Sequence, residues 1–349
     1  MGCTRKWYLD YLRIGAILAV VLMHCSGLID DEVNQSSVLW HLSILFGSIT
    51  RWAVPIFVMI SGSLMLSKKD LSIKRLFLKY ILRFVIAYLF WSFVYTIIFS
   101  IIPYYDILSV NGIKNLIAGT LKGGFFHLWF MPMIIGLYVI TPILQGCIRG
   151  LHEKIIWYWM GIDFVLCFIV PLLRQNAFFE NIFGKTIDLF NNGFFGEYLF
   201  YFILGYLLSR SKLNKRWQEV LYIVGSFSAA FTILSVWIPS IYTGSLFDTL
   251  RQNNTPNVLL MSAALFVFAK ERIRQDIEPK HKTAILFLSK YSFGVYFVHE
   301  MILLSMHDFI ISNVPPVFAI VVLFLITTLL SYLIVMIIDR IKPISKYIL

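Results

Sequence analysis

Charged residues are scarce in this chain. They make up 14% of its 349 residues, whereas hydrophobic residues make up 59%. A soluble globular domain usually carries about 25% charged residues. The composition therefore excludes an ordinary soluble protein and predicts one that crosses a membrane several times.

Cysteines and the usual metal and nucleotide motifs are also few or missing. Three of the four cysteines lie in or beside apolar segments, so we expect no disulfide framework: Cys25, Cys147 and Cys167. No Cys-x2-Cys or His-Glu-x-x-His spacing occurs, so the sequence predicts no metal site and no permanently bound cofactor. A glycine-rich loop for phosphates is also missing, which argues against an ATP-driven pump.

Long apolar runs are what the sequence has in quantity. A helix needs about 20 apolar residues to cross the hydrocarbon layer of a membrane. We expect an all-α protein with one membrane domain over residues 1–349, and a short amphipathic helix on the inner surface at Lys282–Lys290 (KTAILFLSK). Ten runs predict the spans, at roughly 8–28, 44–66, 80–102, 127–146, 155–173, 191–208, 218–238, 256–270, 291–311 and 315–338.

The basic residues support this count and orient the chain. A net charge of +11 would suit a nucleic-acid ligand, but the Lys and Arg residues are concentrated in short loops, as in membrane proteins. With the N-terminus in the cytoplasm, 21 of them fall in cytoplasmic segments and five in external ones. A missed or extra span would destroy this bias. We therefore expect both termini in the cytoplasm and no nucleic-acid partner.

The first apolar run, LDYLRIGAILAVVLMHCSG, contains two polar side chains that are unusual in a membrane helix. Arg13 and His24 are eleven residues apart, so they share one helix face at depths that differ by about 16 Å. Asp10 lies on the same face, one turn before Arg13. Ionisable groups in spans usually face a polar cavity and serve a function. The structural alternatives are that Arg13 reaches the headgroups and that His24 hydrogen-bonds a neighbouring helix.

This spacing suits a long anionic substrate that extends through the depth of the membrane. A guanidinium group binds phosphate well, and a neutral imidazole can accept a proton from a hydroxyl. Coenzyme A has phosphates at one end, and its extended arm, of about this length, ends in a thioester. We predict that Arg13 holds the phosphates of an acyl-coenzyme A and that His24 is the general base.

Five sequence segments follow one another along the chain, and their order is more specific than any one of them alone. They are the Arg-x10-His pattern of Arg13 and His24, then VPIFVMISGSLML, KRLFLKYILRF, HLWFMPMIIGLYVITPIL and YSFGVYFVHEMIL. The second has a Ser-Gly pair, the third is basic, and the last two contain His-x-Trp-Phe and Ser-Phe-Gly-x-Tyr-x-x-His. Together they resemble the bacterial acyltransferase-3 family of integral-membrane O-acyltransferases, in its form without an appended esterase-like domain.

The resemblance implies an enzyme of the bacterial plasma membrane. Such enzymes transfer an acyl group, usually acetyl, from acetyl-coenzyme A to a hydroxyl of a surface glycan or lipid-linked acceptor. The family often has Arg-Arg-x-x-Arg at the start of the third span, where this chain has Lys79, Tyr80 and Arg83. We expect Lys79 and Arg83 to join Arg13 in binding the donor, and Lys74 and Arg75 are the residues that could compensate for the missing arginine.

Three more ionisable residues are candidates for binding the acceptor or the thioester. His127 lies at the predicted outer end of the fourth span and Glu197 near that of the sixth. Their alternatives are an interfacial aromatic belt for His127 and contact with interfacial water for Glu197. His299 lies in the ninth span beside Glu300; packing is its alternative, and neighbours on a helix point about 100° apart, so these two need not touch.

A transporter or flippase for an envelope polysaccharide is the alternative function. It would also line a polar path with Arg, His and Glu side chains. Transporters often contain internal repeats, and none is visible in this sequence. Turnover of a thioester would separate an enzyme from a transporter.

Overall fold

The computed structural model describes residues 5–30, 35–69, 71–102, 109–190, 196–273 and 279–349, and these form helices and no strands. The all-α prediction is confirmed. The α-helices are α1 (Trp7–Asp30), α2 (Val38–Ile49), α3 (Ala53–Met65), α4 (Ile73–Arg75), α5 (Leu82–Thr96), α6 (Val110–Lys122), α7 (Phe130–Gly150), α8 (Glu153–Phe164), α9 (Val170–Leu173), α10 (Ala177–Phe190), α11 (Glu197–Arg210), α12 (Lys215–Thr243), α13 (Pro256–Arg272), α14 (Pro279–Asn313), α15 (Pro316–Asp339) and α16 (Lys342–Ile348). Shorter π-helical and 3-10 segments join some of them, at Leu76–Ile81, Ile97–Ile101, Val165–Ile169, Phe126–Trp129 and Thr249–Arg251.

Eight helical segments in the described residues are long and apolar enough to cross a membrane, so the chain is a multi-pass membrane protein. They coincide with eight of the ten predicted spans. The other two predicted spans contain α11 and α13, whose described lengths are 14 and 17 residues. The total number of crossings and the side of each terminus stay predictions. The eight segments are Trp7–Ile29, Val38–Met65, Ile73–Ile101, Phe126–Gly150, Glu153–Leu173, Lys215–Thr243, His281–Asn313 and Pro316–Asp339.

Helix α1 lies inside the bundle. It contacts α2, α3, α13, α14 and α15, and the side chains of Ala16, Ile17 and Val21 are completely buried. A helix surrounded in this way has protein on several faces, so polar side chains on it can face other helices and not lipid. The position of α1 therefore determines which helices surround Arg13 and His24.

The second span is divided into two helices. Helix α2 ends at Ile49 and α3 begins at Ala53, and Arg51 lies in the turn between them. The span begins at Val38, earlier than the predicted start at residue 44, because Ser37 caps α2 by accepting a hydrogen bond from the Leu39 amide at 3.1 Å. The turn introduces an arginine into the middle of an apolar segment.

Helices α3 and α11 approach each other very closely. A Cβ atom on Gly62 would overlap the backbone of Phe202, and one on Gly205 would overlap the backbone of Met59. Small residues allow such contact between membrane helices. Gly62 therefore allows α3 to pack against α11, whereas its neighbour Ser61 lines a cavity.

The segment Lys282–Lys290, predicted as a short amphipathic helix on the inner surface, is not a short helix of its own. These residues belong to α14, which is continuous from Pro279 to Asn313. Ser289, in this segment, is 4% exposed and donates a hydrogen bond to Asp10 Oδ1 at 2.7 Å. The helix is held against α1 by polar contacts that a sequence pattern does not reveal.

Candidate active site

A cavity of about 840 Å³ lies beside α1, and both Arg13 and His24 line it. Because their positions on α1 differ by about 16 Å in depth, the cavity extends along much of this helix. Its other walls come from α3, α5, α7, α11 and α14 and from the turns that precede α3, α7 and α13. Of the described residues, those that add polar or charged groups to its lining include Arg51, Ser61, Arg83, His127, Tyr138, Tyr198, Gln252, Asn253, Ser289, Lys290, Ser292 and Tyr296.

Asp10 and Ser289 hold Arg13 at one end of the cavity. Arg13 Nη1 donates to Ser289 Oγ at 3.0 Å and lies 3.3 Å from Asp10 Oδ1. Asp10 also binds Arg5 through two hydrogen bonds, of 2.7 and 2.8 Å. Arg13 has five N–H donors in all, and these contacts occupy only one of its nitrogens. Its side chain is 29% exposed, so the guanidinium can bind an anion from the cavity.

Three imidazole rings meet at the other end of the cavity. The ring of His24 lies 5.1 Å from that of His299 and 6.5 Å from that of His127, measured between centroids. The rings of His127 and His299 are 5.4 Å apart. His24 and His127 line the cavity, whereas His299 is completely buried behind them. Helix α1, the turn at Phe126–Trp129 and α14 supply one histidine each.

Two glycines put His127 in this cluster. Gly123 ends α6 with φ +109°, and Gly124 follows with φ +65°. Both values lie in the left-handed region, which favours glycine. A Cβ on Gly124 would also overlap the backbone of Ser92 on α5. The chain therefore turns tightly against α5 before His127, whose carbonyl oxygen accepts a hydrogen bond from Tyr296 Oη at 2.8 Å.

Glu300 is completely buried next to the imidazoles. Its Oε2 atom lies 3.4 Å from His24 Nδ1 and 3.6 Å from His299 Nε2. His299 Nδ1 lies 2.7 Å from the carbonyl oxygen of Tyr296. The sequence left contact between His299 and Glu300 open, and the structure shows that the two side chains approach each other.

Arg83 is the one predicted donor-binding residue of the third span that reaches the cavity. It follows the π-helical turn Leu76–Ile81, and its guanidinium contacts the main-chain oxygen of Leu349 and lies 6.0 Å from the centroid of the Phe293 ring. Arg75 is exposed on α4, and Lys79 is exposed beside the ring of Tyr80, at 5.9 Å. Among the described residues that line the cavity, neither Arg75 nor Lys79 occurs.

Glu197 lies at the start of α11 and outside the described lining of the cavity. The next residue, Tyr198, does line the cavity, and its hydroxyl accepts a hydrogen bond from Asn253 Nδ2 at 3.1 Å. The ring of Tyr198 lies 5.5 Å from that of Trp129. These residues form a polar and aromatic wall of the cavity, and no sequence pattern pointed to Asn253.

The side chains that contact α1 from distant parts of the chain were also not identified from the sequence. Ser289 and Glu300 lie on α14 and contact residues of α1. Within the described residues, His24, His299 and Glu300 offer three atoms within 4.8 Å of one another that could bind a metal ion. No motif spacing could show this group, because its members lie on two helices. The same spacing suits hydrogen bonds through shared protons.

This arrangement suits the transfer of an acyl group. Arg13 and Arg83 provide positive charge for a substrate phosphate, and His24 provides a base that can accept a hydroxyl proton. Apolar side chains, among them Val20, Phe57 and Ile134, also line the cavity. A lining that mixes apolar and polar groups suits the arm of a carrier thioester.

Comparison with known proteins identifies the family. No curated protein and no solved structure shows a match. The model of the acyltransferase-3 family, described as an acyltransferase domain, matches residues 6–336 and so covers nearly the whole chain, including all the cavity residues described above. The chain belongs to the acyltransferase-3 family and is an integral-membrane acyltransferase.

Proposed function

We propose that this acyltransferase moves an acetyl group from acetyl-coenzyme A to a hydroxyl of an envelope glycan or a lipid-linked acceptor. The observation that supports the proposal is that Arg13 and His24 line the same cavity. A cation at one end and an imidazole at the other suit a donor with phosphates at one end and a thioester at the other. The enzyme acts in the bacterial plasma membrane, and the loop charges support entry of the donor from the cytoplasm.

His24 acts as the general base in this mechanism. Its Nε2 atom takes the proton of the acceptor hydroxyl while the hydroxyl oxygen attacks the carbonyl carbon of the thioester. The tetrahedral intermediate then breaks its C–S bond, and the proton on His24 passes to the departing thiolate. The products are the O-acetylated acceptor and coenzyme A, and His24 is neutral again. General-base catalysis contributes about 10²–10⁴-fold to the rate.

The remaining predicted residues, apart from His299, bind the two substrates. Arg13 and Arg83 contact the donor phosphates inside the cavity, and Lys79 and Arg75 attract the donor to its mouth. His127 lies beside His24 and positions the thioester or the acceptor. The predicted role of Glu197 in acceptor binding is supported only by its position next to Tyr198 in the cavity wall. In this proposal His299 acts behind His24, because it is buried away from the cavity.

The experiment that tests the function measures turnover of the thioester. Purified protein is incubated with labelled acetyl-coenzyme A, with and without an envelope glycan, and both free coenzyme A and labelled glycan are measured. We expect His24→Ala to reduce transfer by about 100-fold or more. His152→Asn is the matched control, because His152 is exposed between α7 and α8 and Asn is also a good N-terminal cap.

Each outcome of this experiment has one meaning. A transporter would release no coenzyme A at all. Transfer that continues unchanged in His24→Ala would rule out the proposed base. Release of coenzyme A without any labelled glycan, over a panel of envelope glycans, would contradict the proposed acceptor class but not the donor.

A further inference from the structure

Glu300 is a carboxyl group held inside the protein without a hydrogen-bond partner. Its side chain has no exposed area, and neither carboxyl oxygen is hydrogen-bonded to any residue that the structure describes. A carboxylate in an apolar interior is costly unless a proton or a charge compensates it. Ionisable groups at such positions in membrane proteins usually have a function.

Two imidazole nitrogens approach the same oxygen of Glu300. His24 Nδ1 lies 3.4 Å and His299 Nε2 lies 3.6 Å from Oε2. The backbone determines the tautomer of His299, because its Nδ1 faces the Tyr296 carbonyl oxygen at 2.7 Å and only an N–H can bond there. His299 Nε2 therefore either accepts a proton from Glu300 or donates one to it.

Two protons satisfy all three of these atoms. One lies between His299 Nε2 and Glu300, and the other lies on His24 Nδ1 and points to Oε2. His24 Nε2 is then the nitrogen left for a substrate in the cavity. Both distances to Oε2 are longer than a normal hydrogen bond, and contacts of this kind often shorten when the substrate binds.

We propose that Glu300, held by His299, positions His24 as the general base; this inference rests on the proposed function. When His24 Nε2 takes the hydroxyl proton, the ring becomes an imidazolium and keeps its proton on Nδ1. The hydrogen bond from Nδ1 to Glu300 is then charge-assisted and stronger. The proton leaves from Nε2 to the thiolate, so Glu300 gains and loses none. Carboxylates that orient a catalytic histidine act in this way in other enzymes.

The test compares carboxyl variants on the same helix. Glu300→Gln keeps the shape of the side chain and removes its charge, so we expect kcat to fall by about 10²–10⁴-fold while the KM for acetyl-coenzyme A changes by less than about threefold. Glu300→Asp restores the carboxylate and should recover part of kcat. The control is Asp308→Asn, whose carboxylate on α14 is 99% exposed, and it should change neither constant.

A double variant separates action through His24 from a merely structural effect. If Glu300 acts through His24, adding Glu300→Gln to His24→Ala causes no further loss of activity. Losses that multiply would overturn the inference. Binding of coenzyme A, measured by calorimetry, shows which variants fold, and Glu300→Asp serves as the second variant where Glu300→Gln does not.

The remaining outcomes distinguish the two proposals. Unchanged kcat in Glu300→Gln, with His24→Ala inactive, would overturn this inference and leave His24 as the base. Full activity in His24→Ala would instead overturn the proposed function. Zinc is also added to the purified protein, and the bound zinc is measured by mass spectrometry. One tightly bound zinc per chain that is lost in Glu300→Gln would show that His24, His299 and Glu300 bind a metal ion, and it would overturn the proposed role of Glu300.

Discussion

Ser289 Oγ lies 3.0 Å from Arg13 Nη1, although the two residues are 276 positions apart in the chain. Eleven residues further along each helix, His24 faces Glu300. Helices α1 and α14 therefore run side by side in the same direction. Two parallel spans are separated by an odd number of crossings, and five of the eight apolar segments lie between these two. If those five segments all cross the membrane, and α11 and α13 are the only other candidates between α1 and α14, then α11 and α13 either both cross or both do not.

The hydrogen bond from Arg13 to Ser289 leads to a prediction about donor binding. Ser289→Ala removes the acceptor that fixes Arg13 and leaves only the 3.3 Å contact with Asp10. One hydrogen bond of this kind is worth about 0.5–1.5 kcal/mol, so we expect the KM for acetyl-coenzyme A to rise by about three- to tenfold. Ser305→Ala, an exposed serine of the same helix, should leave it unchanged. A lower kcat with an unchanged KM would show that Ser289 acts elsewhere.

Substitution of the three basic residues near the third span should raise the KM for the donor to different extents. Arg83 lines the cavity, whereas Arg75 is exposed on α4. A charged hydrogen bond to phosphate is worth about 1.5–3 kcal/mol, so Arg83→Ala should raise the KM for the donor by about tenfold or more. Arg75→Ala and Lys79→Ala should raise it by less than about threefold, since exposed charges are screened by water and salt.

Arg83→Lys keeps the charge and loses the planar fork, so we expect an effect between those of the wild type and Arg83→Ala. All four variants are compared by steady-state kinetics at low and high salt. Equal effects of Arg83→Ala and Arg75→Ala would mean that the phosphates bind at the exposed mouth and not inside the cavity.

Most of the fold could be predicted from the sequence because membrane thickness sets the length of an apolar helix. The predictions around α11 show the limit of that argument. Its residues Phe200 to Leu208 are all buried, and an apolar run has the same composition whether it packs against protein or lipid. The bend at Arg51 was equally hidden, because it interrupts the helix without interrupting the apolar pattern.

Helical spacing predicted only those residues of the candidate site that share one helix; Arg83, His127 and His299 lie on other elements and were candidates through the segments that resemble the family. Arg13, His24 and Asp10 follow from helical spacing alone. Ser289 and Glu300 contact them from α14, and Asn253 reaches the cavity from the turn before α13. Those contacts depend on how helices pack, which a single sequence does not specify. The adjacent residues His299 and Glu300 gave a signal for a polar cluster, but not for its partner His24.

The close contact between α3 and α11 predicts that a Gly→Ala substitution changes thermal stability in opposite directions at two positions, one inside the contact and one outside it. Gly205→Ala should lower the thermal stability of the purified protein, because the new Cβ would overlap the backbone of Met59, which cannot move aside easily. Gly136→Ala, in the interior of α7, meets no atom within 4 Å and should keep or raise the Tm, since Ala favours helix by about 1 kcal/mol. Equal melting temperatures would contradict the close contact.

The wall formed by Asn253 and Tyr198 predicts a separate effect on the acceptor. Both residues line the cavity, and Asn253 is fixed because Tyr201 Oη donates to its carbonyl oxygen at 2.8 Å. Polar groups held rigidly in a binding cavity determine which ligand is accepted. Asn253→Ala should therefore raise the KM for the glycan by about three- to tenfold, as expected for one hydrogen bond, and leave release of coenzyme A in the absence of glycan unchanged. Asn313→Ala, at the exposed end of α14, is the control. Loss of donor turnover in Asn253→Ala would instead place Asn253 with the groups that act on the thioester.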